Sequence, residues 1–200
     1  DSRRPSGGPA TPMQGAQETD TVLLSRIGAG DRAAMQALYA RHAKRLYHYL
    51  LRLTRDGPTA EDLVNDVFID LWKGGSTFEG RAQVSTWLLA IARYKALSAL
   101  RRRKKTVDSD AALENWEEPG DTPEVAAQKT DKGKRLRACI EQLSAEHREV
   151  IDLIYYQEKS VREISDIVGI PEATVKTRMF YARKNLSALM AQAGLDRGWP

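Results

Sequence analysis

The sequence predicts an all-α protein: two small helical domains, a helical bundle and a helix-turn-helix body, joined by a flexible acidic linker. Three observations carry this prediction. Apolar residues recur at helical spacing along most of the chain, and no stretch alternates apolar and polar residues as a strand does. Acidic residues, Pro119, Gly120 and Pro123 gather between residues 106 and 133, where the periodicity fades. A sharp break at Gly169-Ile170-Pro171 divides two short helical patterns, the second of them basic.

The elements follow in order. Residues 1–20 hold Pro5, Gly7, Gly8, Pro9, Pro12 and Gly15 and read as a disordered tail. A first domain covers residues 21–105. It opens with a short helix over 21–27, stopped near Gly28 and Gly30. Asp31 can cap a second helix that runs to about residue 54 and buries Met35, Leu38, Leu46, Leu50 and Leu53. Asp56-Gly57-Pro58 is a break, and Thr59 caps a third helix over 60–72 with Asp62 completing a box-like pattern. A loop over 73–83 leads to a fourth helix that starts at or just before Ser85 and ends in the basic block Arg101-Arg-Arg-Lys-Lys105. The linker, 106–133, follows. The second domain, 134–192, draws its core from Leu136, Ile140, Leu143, Val150, Leu153, Ile154, Ile164, Ile167 and Val168, and residues 193–200 form a frayed tail.

Composition narrows the function. The chain is 42% hydrophobic and 29% charged, with a net charge of +4, which suits a globular protein. No apolar run approaches the roughly 20 residues that span a bilayer, and the first 20 residues lack the apolar core of a signal peptide. The expectation is a cytoplasmic protein without membrane insertion. One cysteine, Cys139, permits no internal disulfide and reads as a small buried residue. His42, His48 and His147 are scattered without metal-ligand spacing, so neither a metal nor a cofactor is expected. Charge is segregated: after the basic block, residues 106–125 hold seven acidic residues and no basic one. That pattern places a positive surface beside a negative tether.

The break at Gly169 is the most specific signal. Glycine ends a helix because it tolerates positive φ, and proline opens the next one because its missing N–H is not needed there. In the second helix Val175, Met179, Ala182 and Leu186 form the buried stripe. The other side carries Ala173, Thr177, Phe180, Tyr181 and Lys184, flanked by Thr174 and Lys176. An aromatic ring can touch a thymine methyl, threonine bonds several bases, and lysine reaches guanine or phosphate. A solvated helix at the end of a bundle is the plain alternative. The turn, the basic charge and the exposed aromatics together favour a DNA major groove.

Two helices of the first domain leave their roles open. The third carries an acidic face of Glu61, Asp62, Asp66 and Asp70, with Asn65 and Ile69 near its edges. Such a face repels DNA and suits a basic protein surface, or is simply solvated. The fourth interleaves Trp87, Arg93, Tyr94 and Lys95 ahead of the basic block. Rings that stack bases beside cations that hold phosphates suit single-stranded nucleic acid, or Trp87 is a core residue.

Several segments resemble a known family. Leu38-Tyr-Ala-Arg-His42, Ala60-Glu-Asp-Leu-Val-Asn-Asp-Val-Phe68, Phe78-Glu-Gly-Arg-Ala82 and Ser85-Thr-Trp-Leu-Leu-Ala-Ile-Ala92 are similar to region two of bacterial extracytoplasmic-function (ECF) sigma factors, group four of the sigma-70 family. Leu143-Ser-Ala-Glu-His-Arg-Glu-Val150 and Thr174-Val-Lys-Thr-Arg-Met-Phe-Tyr-Ala-Arg183 are similar to region four. The resemblance spans about residues 22–105 and 136–190 and keeps motif order and spacing. It implies a non-enzymatic promoter-specificity subunit that binds core RNA polymerase, recognises the minus-thirty-five and minus-ten elements and assists melting. Asp62, Asn65, Asp66 and Phe68 would dock on the clamp helices of the β′ subunit. Phe78, Arg81, Trp87, Arg93, Tyr94, Ser98 and Arg101 would meet minus-ten DNA, where a base is flipped into the loop over 73–83. Thr174, Lys176, Thr177, Phe180, Tyr181 and Lys184 would read minus-thirty-five duplex, while region four also packs on the β flap. The linker would run through the polymerase interior, and an anti-sigma protein would wedge between the domains to hold the factor inactive. An active factor would be found with the nucleoid.

The sequence also departs from the family. Asn65 stands where many members carry Gln, Tyr94 where many carry Asn, Ser98 where Asp or Asn is usual, and Ala173 where Gly is common. Tyr181 replaces a common Arg, which removes a guanine contact worth about 1–3 kcal/mol of discrimination. A stand-alone helix-turn-helix regulator would explain residues 145–190 but not the acidic helix. No nucleophile triad, phosphate loop or metal cluster speaks for an enzyme.

Overall fold

Eight helices make up the secondary structure of the described residues, which are 18–74, 78–106 and 131–195 of this computed structural model. The tail over 1–17, the loop tip 75–77, the linker interior 107–130 and residues 196–200 lie outside them. The helices are α1 (Asp20–Gly28), α2 (Arg32–Thr54), α3 (Gly57–Gly74), α4 (Val84–Thr106), α5 (Asp131–Glu141), α6 (Ala145–Tyr155), α7 (Val161–Val168) and α8 (Glu172–Gln192).

Capping chemistry sets most of the boundaries. The Asp31 carboxylate accepts from the N–H groups of Ala33 at 2.9 Å and Ala34 at 3.2 Å, so α2 begins where the sequence places it. The start of α3 differs from expectation. Asp56, not Thr59, is the capping group: its Oδ2 accepts from the Thr59 N–H at 3.1 Å and from the Thr59 hydroxyl. Gly57 and Pro58 therefore lie inside the first turn, where proline loses no hydrogen bond. Ser160 caps α7 in a full capping box with Glu163. Gly169 ends that helix at φ 74°, a left-handed position that a Cβ would strain.

The helices pack around two hubs, and α7 belongs to both because it lies against α4 as well as α8. Helix α2 is the hub of the first group, with α1, α3 and α4 against it, and Leu38, Tyr49, Leu50, Val67 and Leu88 fully enclosed. In the second group α8 receives α5, α6 and α7. Each large aliphatic side chain buried this way contributes roughly 1.5–3 kcal/mol. Cys139 is buried beside Met190 and Leu195, as expected of a small core residue. The groups do not stay apart: Leu153, Ile164, Ile167, Val168 and Val175 join the hydrophobic core of the first four helices. No described helix is long and apolar enough to cross a membrane.

Candidate nucleic-acid and protein interfaces

The helix-turn-helix is built as its sequence dictates. After the Gly169 turn, α8 buries Val175 and Ala182 and half-buries Met179 and Leu186. That leaves Phe180 63% and Tyr181 49% exposed, their rings edge to face at 5.3 Å. Lys176, Thr177 and Lys184 share this exposure, while Thr174 is half-buried. The Thr177 hydroxyl donates to the Ala173 carbonyl at 3.0 Å. The other cations of the helix are pinned to α6: Arg178 meets Glu146 at 3.3 Å, and Arg183 donates to the Tyr155 hydroxyl at 3.1 Å. Lys176 and Lys184 thus remain beside the two rings on an open, basic and aromatic face.

On α3, Asp62, Asn65 and Asp66 are exposed on one side of the helix. Phe68 is not. Its side chain is buried and packs on the Tyr39 ring at 4.8 Å, so it acts by holding Tyr39 at the surface. Exposed Ile69 and Trp72 extend this region with apolar area. Between α3 and α4 lies a groove of about 620 Å³ that brings Asp66 together with Tyr94, Ser98 and Arg101. Lys95 on its wall pairs with Asp70 at 2.5 Å.

The residues expected to meet a single strand separate into two sets. Tyr94 is 70% exposed, and Arg101 is exposed with its Nε on the Leu97 carbonyl at 3.3 Å. Arg81 is exposed and pairs with Glu79 at 2.9 Å. Phe78 and Trp87 pack together at 5.1 Å and are both half-buried, and Ser98 is half-buried as well. Arg93 is enclosed. Its Nε reaches Glu149 Oε1 at 2.6 Å, its Nη2 reaches Oε2 at 3.3 Å, and its Nη1 reaches the Val168 carbonyl at 3.4 Å.

Glu149 belongs to α6, so this contact joins the two groups of helices. The Tyr49 hydroxyl donates to the same carboxylate at 2.8 Å, and burial together with the Glu149 charge pushes that hydroxyl well above its usual range. Burial opposes the Arg93 charge, but the hydrogen bonds and charge of Glu149 outweigh it and the net shift is upward. Nearby, Arg52 pairs with Asp152 and lies over the Tyr156 ring at 4.1 Å. Burial lifts the Asp152 carboxyl to about 7 despite Arg52, and Asp152 Oδ2 has no hydrogen-bond partner. Along α4, Lys159 donates to Ser85 at 2.6 Å, and the Thr86 hydroxyl donates to Glu163 at 3.1 Å. Sequence reasoning missed this seam. Its partners lie 56 to 100 residues apart and share no spacing that a sequence pattern reveals.

Comparison with known proteins then places the chain. Residues 38–106 match the family described as Sigma-70 region 2, and residues 133–186 match Sigma-70, region 4. The chain is 33% identical over 177 residues to ECF RNA polymerase sigma factor SigL of Mycobacterium tuberculosis, covering 87% of this chain and 98% of that protein. It is 29% identical to RNA polymerase sigma factor YlaC of Bacillus subtilis, covering 81% and 95%. Among solved structures, CnrH in complex with the cytosolic domain of CnrY aligns with a TM-score of 0.64 at 22% identity, covering 88% of this chain and 99% of that one. The sigma factor RpoE in complex with the anti-sigma factor NepR from Bartonella quintana aligns with a TM-score of 0.56 at 25% identity, covering 73% and 89%.

Proposed function

The chain belongs to the ECF sigma factors of the sigma-70 family, and from that premise we propose how its surfaces divide the work of promoter recognition. Residues 21–105 and 134–192 are the two working units, and the protein catalyses no reaction of its own in the cytoplasm. The exposed carboxylates Asp62 and Asp66, with Asn65 and the Tyr39 ring that Phe68 supports, dock on core polymerase. Phe78, Arg81, Trp87, Tyr94, Ser98 and Arg101 meet the displaced minus-ten strand, with Arg93 added once Glu149 releases it. Thr174, Lys176, Thr177, Phe180, Tyr181 and Lys184 lie in minus-thirty-five duplex.

The observation that carries this reading is the coexistence of an exposed acidic face on α3 with an exposed basic and aromatic face on α8. A lone DNA-binding regulator has no use for the first, because carboxylates repel phosphate. An anti-sigma partner is part of the proposal. The similar RpoE was solved with the anti-sigma factor NepR, and the seam closed here is what such a partner would wedge open or span.

Transcription in vitro with core polymerase on genomic fragments, followed by start-site mapping, tests the function. Defined start sites that require both proteins are expected. Tight, specific gel shifts by the protein alone, without polymerase-dependent transcripts, would favour the stand-alone regulator.

A further inference from the structure

The groove between α3 and α4 has two unlike walls. Tyr94, Ser98, Arg101, Arg102 and Lys105 recur at helical spacing along α4 and line it with a ring and cations. The α3 wall brings Leu63 and the carboxylate of Asp66. Lys95 also lines the groove, but its charge is committed to α3: its Nζ meets Asp70 Oδ2 at 2.5 Å. The two partners are differently placed. The Lys95 side chain is 21% exposed, whereas that of Asp70 is 58% exposed. Asp70 is therefore open to a competitor while it holds Lys95. It also continues the row of Asp62 and Asp66, each four residues from the next on the exposed side of α3.

We infer that Lys95 is a strand-contact residue held in reserve by Asp70, and that engagement of Asp70 by polymerase releases it to a phosphate of the displaced strand. The inference rests on the reading of α3 as the polymerase-docking face and of the groove as a strand site. Lysine suits the role, because its ammonium is a point charge on a flexible four-carbon stem and changes partner without backbone movement. The pair suits it too. An exposed ion pair shifts an equilibrium by a factor of only about one to five, so it exchanges readily. Charge then sets the order of events. In the free chain Asp66 and Asp70 stand beside the groove and oppose phosphate, while Lys95 is already neutralised. A basic protein surface laid on these carboxylates removes the opposition and frees the cation in one step. The coupling is reciprocal: whatever factor polymerase adds to strand affinity, the strand adds to polymerase affinity.

A double-mutant cycle on the full chain tests this, read by the fluorescence anisotropy of a labelled short oligothymidylate over a range of salt concentrations. In the free chain Asp70→Asn is expected to raise affinity about two- to fivefold. It should also steepen the slope of log affinity against log salt by about 0.7, the mark of one more contacted phosphate of a single strand. Both gains should vanish when Lys95→Gln is added, and contacts made elsewhere, on α8 for instance, cancel in the cycle. Lys95→Gln alone should leave the free chain nearly unchanged yet weaken strand binding by the chain bound to core polymerase, measured against core polymerase alone. Lys95→Arg, which keeps the charge, should restore that binding. A gain from Asp70→Asn that survives Lys95→Gln would make Asp70 a repulsive charge only and overturn the inference. So would a loss from Lys95→Gln that is equal in the free and the core-bound chain, or absent from both. A wild-type chain that fails to bind core polymerase, with the free-chain cycle as expected, would instead sink the docking reading and leave Lys95 as a strand contact restrained by Asp70. Oligothymidylate bound by none of the forms would sink the strand reading of the groove and the inference with it.

Discussion

Asp152 is buried with one oxygen on Arg52 and the other without a partner. Enclosure dominates, and its carboxyl ionises at about 7. In the unfolded chain it ionises near 3.9. Between those values the folded protein binds the extra proton, so this residue makes stability fall as pH rises from about 4 to 7 and level off above. Asp20, Asp31 and Glu163 are shifted down, so their stabilisation is lost only at lower pH and does not overlap this window. Asp152→Asn should flatten the decline, which denaturant midpoints at about pH 5 and pH 7.5 would show; an unchanged slope would place its origin elsewhere. Phe180 raises a different residue-scale question, that of a large ring kept in water. If the ring contacts duplex, Phe180→Ala should weaken minus-thirty-five binding by up to about 1.5–3 kcal/mol, the worth of burying such a ring, without altering the melting transition. A lowered melting temperature with normal DNA affinity would make it a structural residue.

At the scale of elements, α7 shows how one side chain can serve two levels of structure. Glu163 accepts from the Ser160 N–H at 2.8 Å to complete the capping box, and its other oxygen accepts from Thr86 of α4. The helix start is thereby fixed to the seam. Ser160→Ala should cost about 1 kcal/mol in a urea titration, the usual loss for a cap. No measurable change would mean that packing alone holds the α7 terminus. On α3, Asp70 pairs with Lys95 of α4, whereas Asp62 and Asp66 lie on the exposed face. Asp66→Arg should abolish binding to core polymerase in a pull-down while the circular dichroism spectrum stays the same, and retained binding would remove this face from the interface. These elements differ in how legible they were. Asp31 and Gly169 announced their roles because a cap and a left-handed turn each need a particular residue locally. Asp56 was overlooked because Gly57-Pro58 reads as a break, although proline also suits a first helical turn. The open face of α8 followed from periodicity, since a buried stripe defines its opposite. The pairing of Arg93 with Glu149 did not, because a cation on a helix carries no local mark of a partner 56 residues away.

For the whole molecule, the proposed strand contact would compete with the seam for α4. Its Arg93, Thr86 and Ser85 are held by Glu149, Glu163 and Lys159 of the second group of helices. A nucleic-acid strand cannot reach Arg93 until that contact opens. Glu149 is the residue to change, because it joins Arg93 and Tyr49 at once and is 9% exposed. Removing Glu149 leaves the half-buried Arg93 without its carboxylate, at a cost below the roughly 3–5 kcal/mol of a fully buried pair. Inside a single rigid core that cost lowers the melting temperature. Between two bodies it can be relieved instead by separation, which returns Arg93 to water. Glu149→Ala should therefore increase the radius of gyration while helix content is retained, and it should raise the affinity of the free protein for minus-ten single strands. The opposing force is apolar, since Leu153, Ile164 and Val168 lose their cover when the seam parts. The radius of gyration decides between these forces. A variant that stays compact and melts earlier in one transition would show the eight helices to be a single folding unit, with Arg93 a structural residue rather than a masked one.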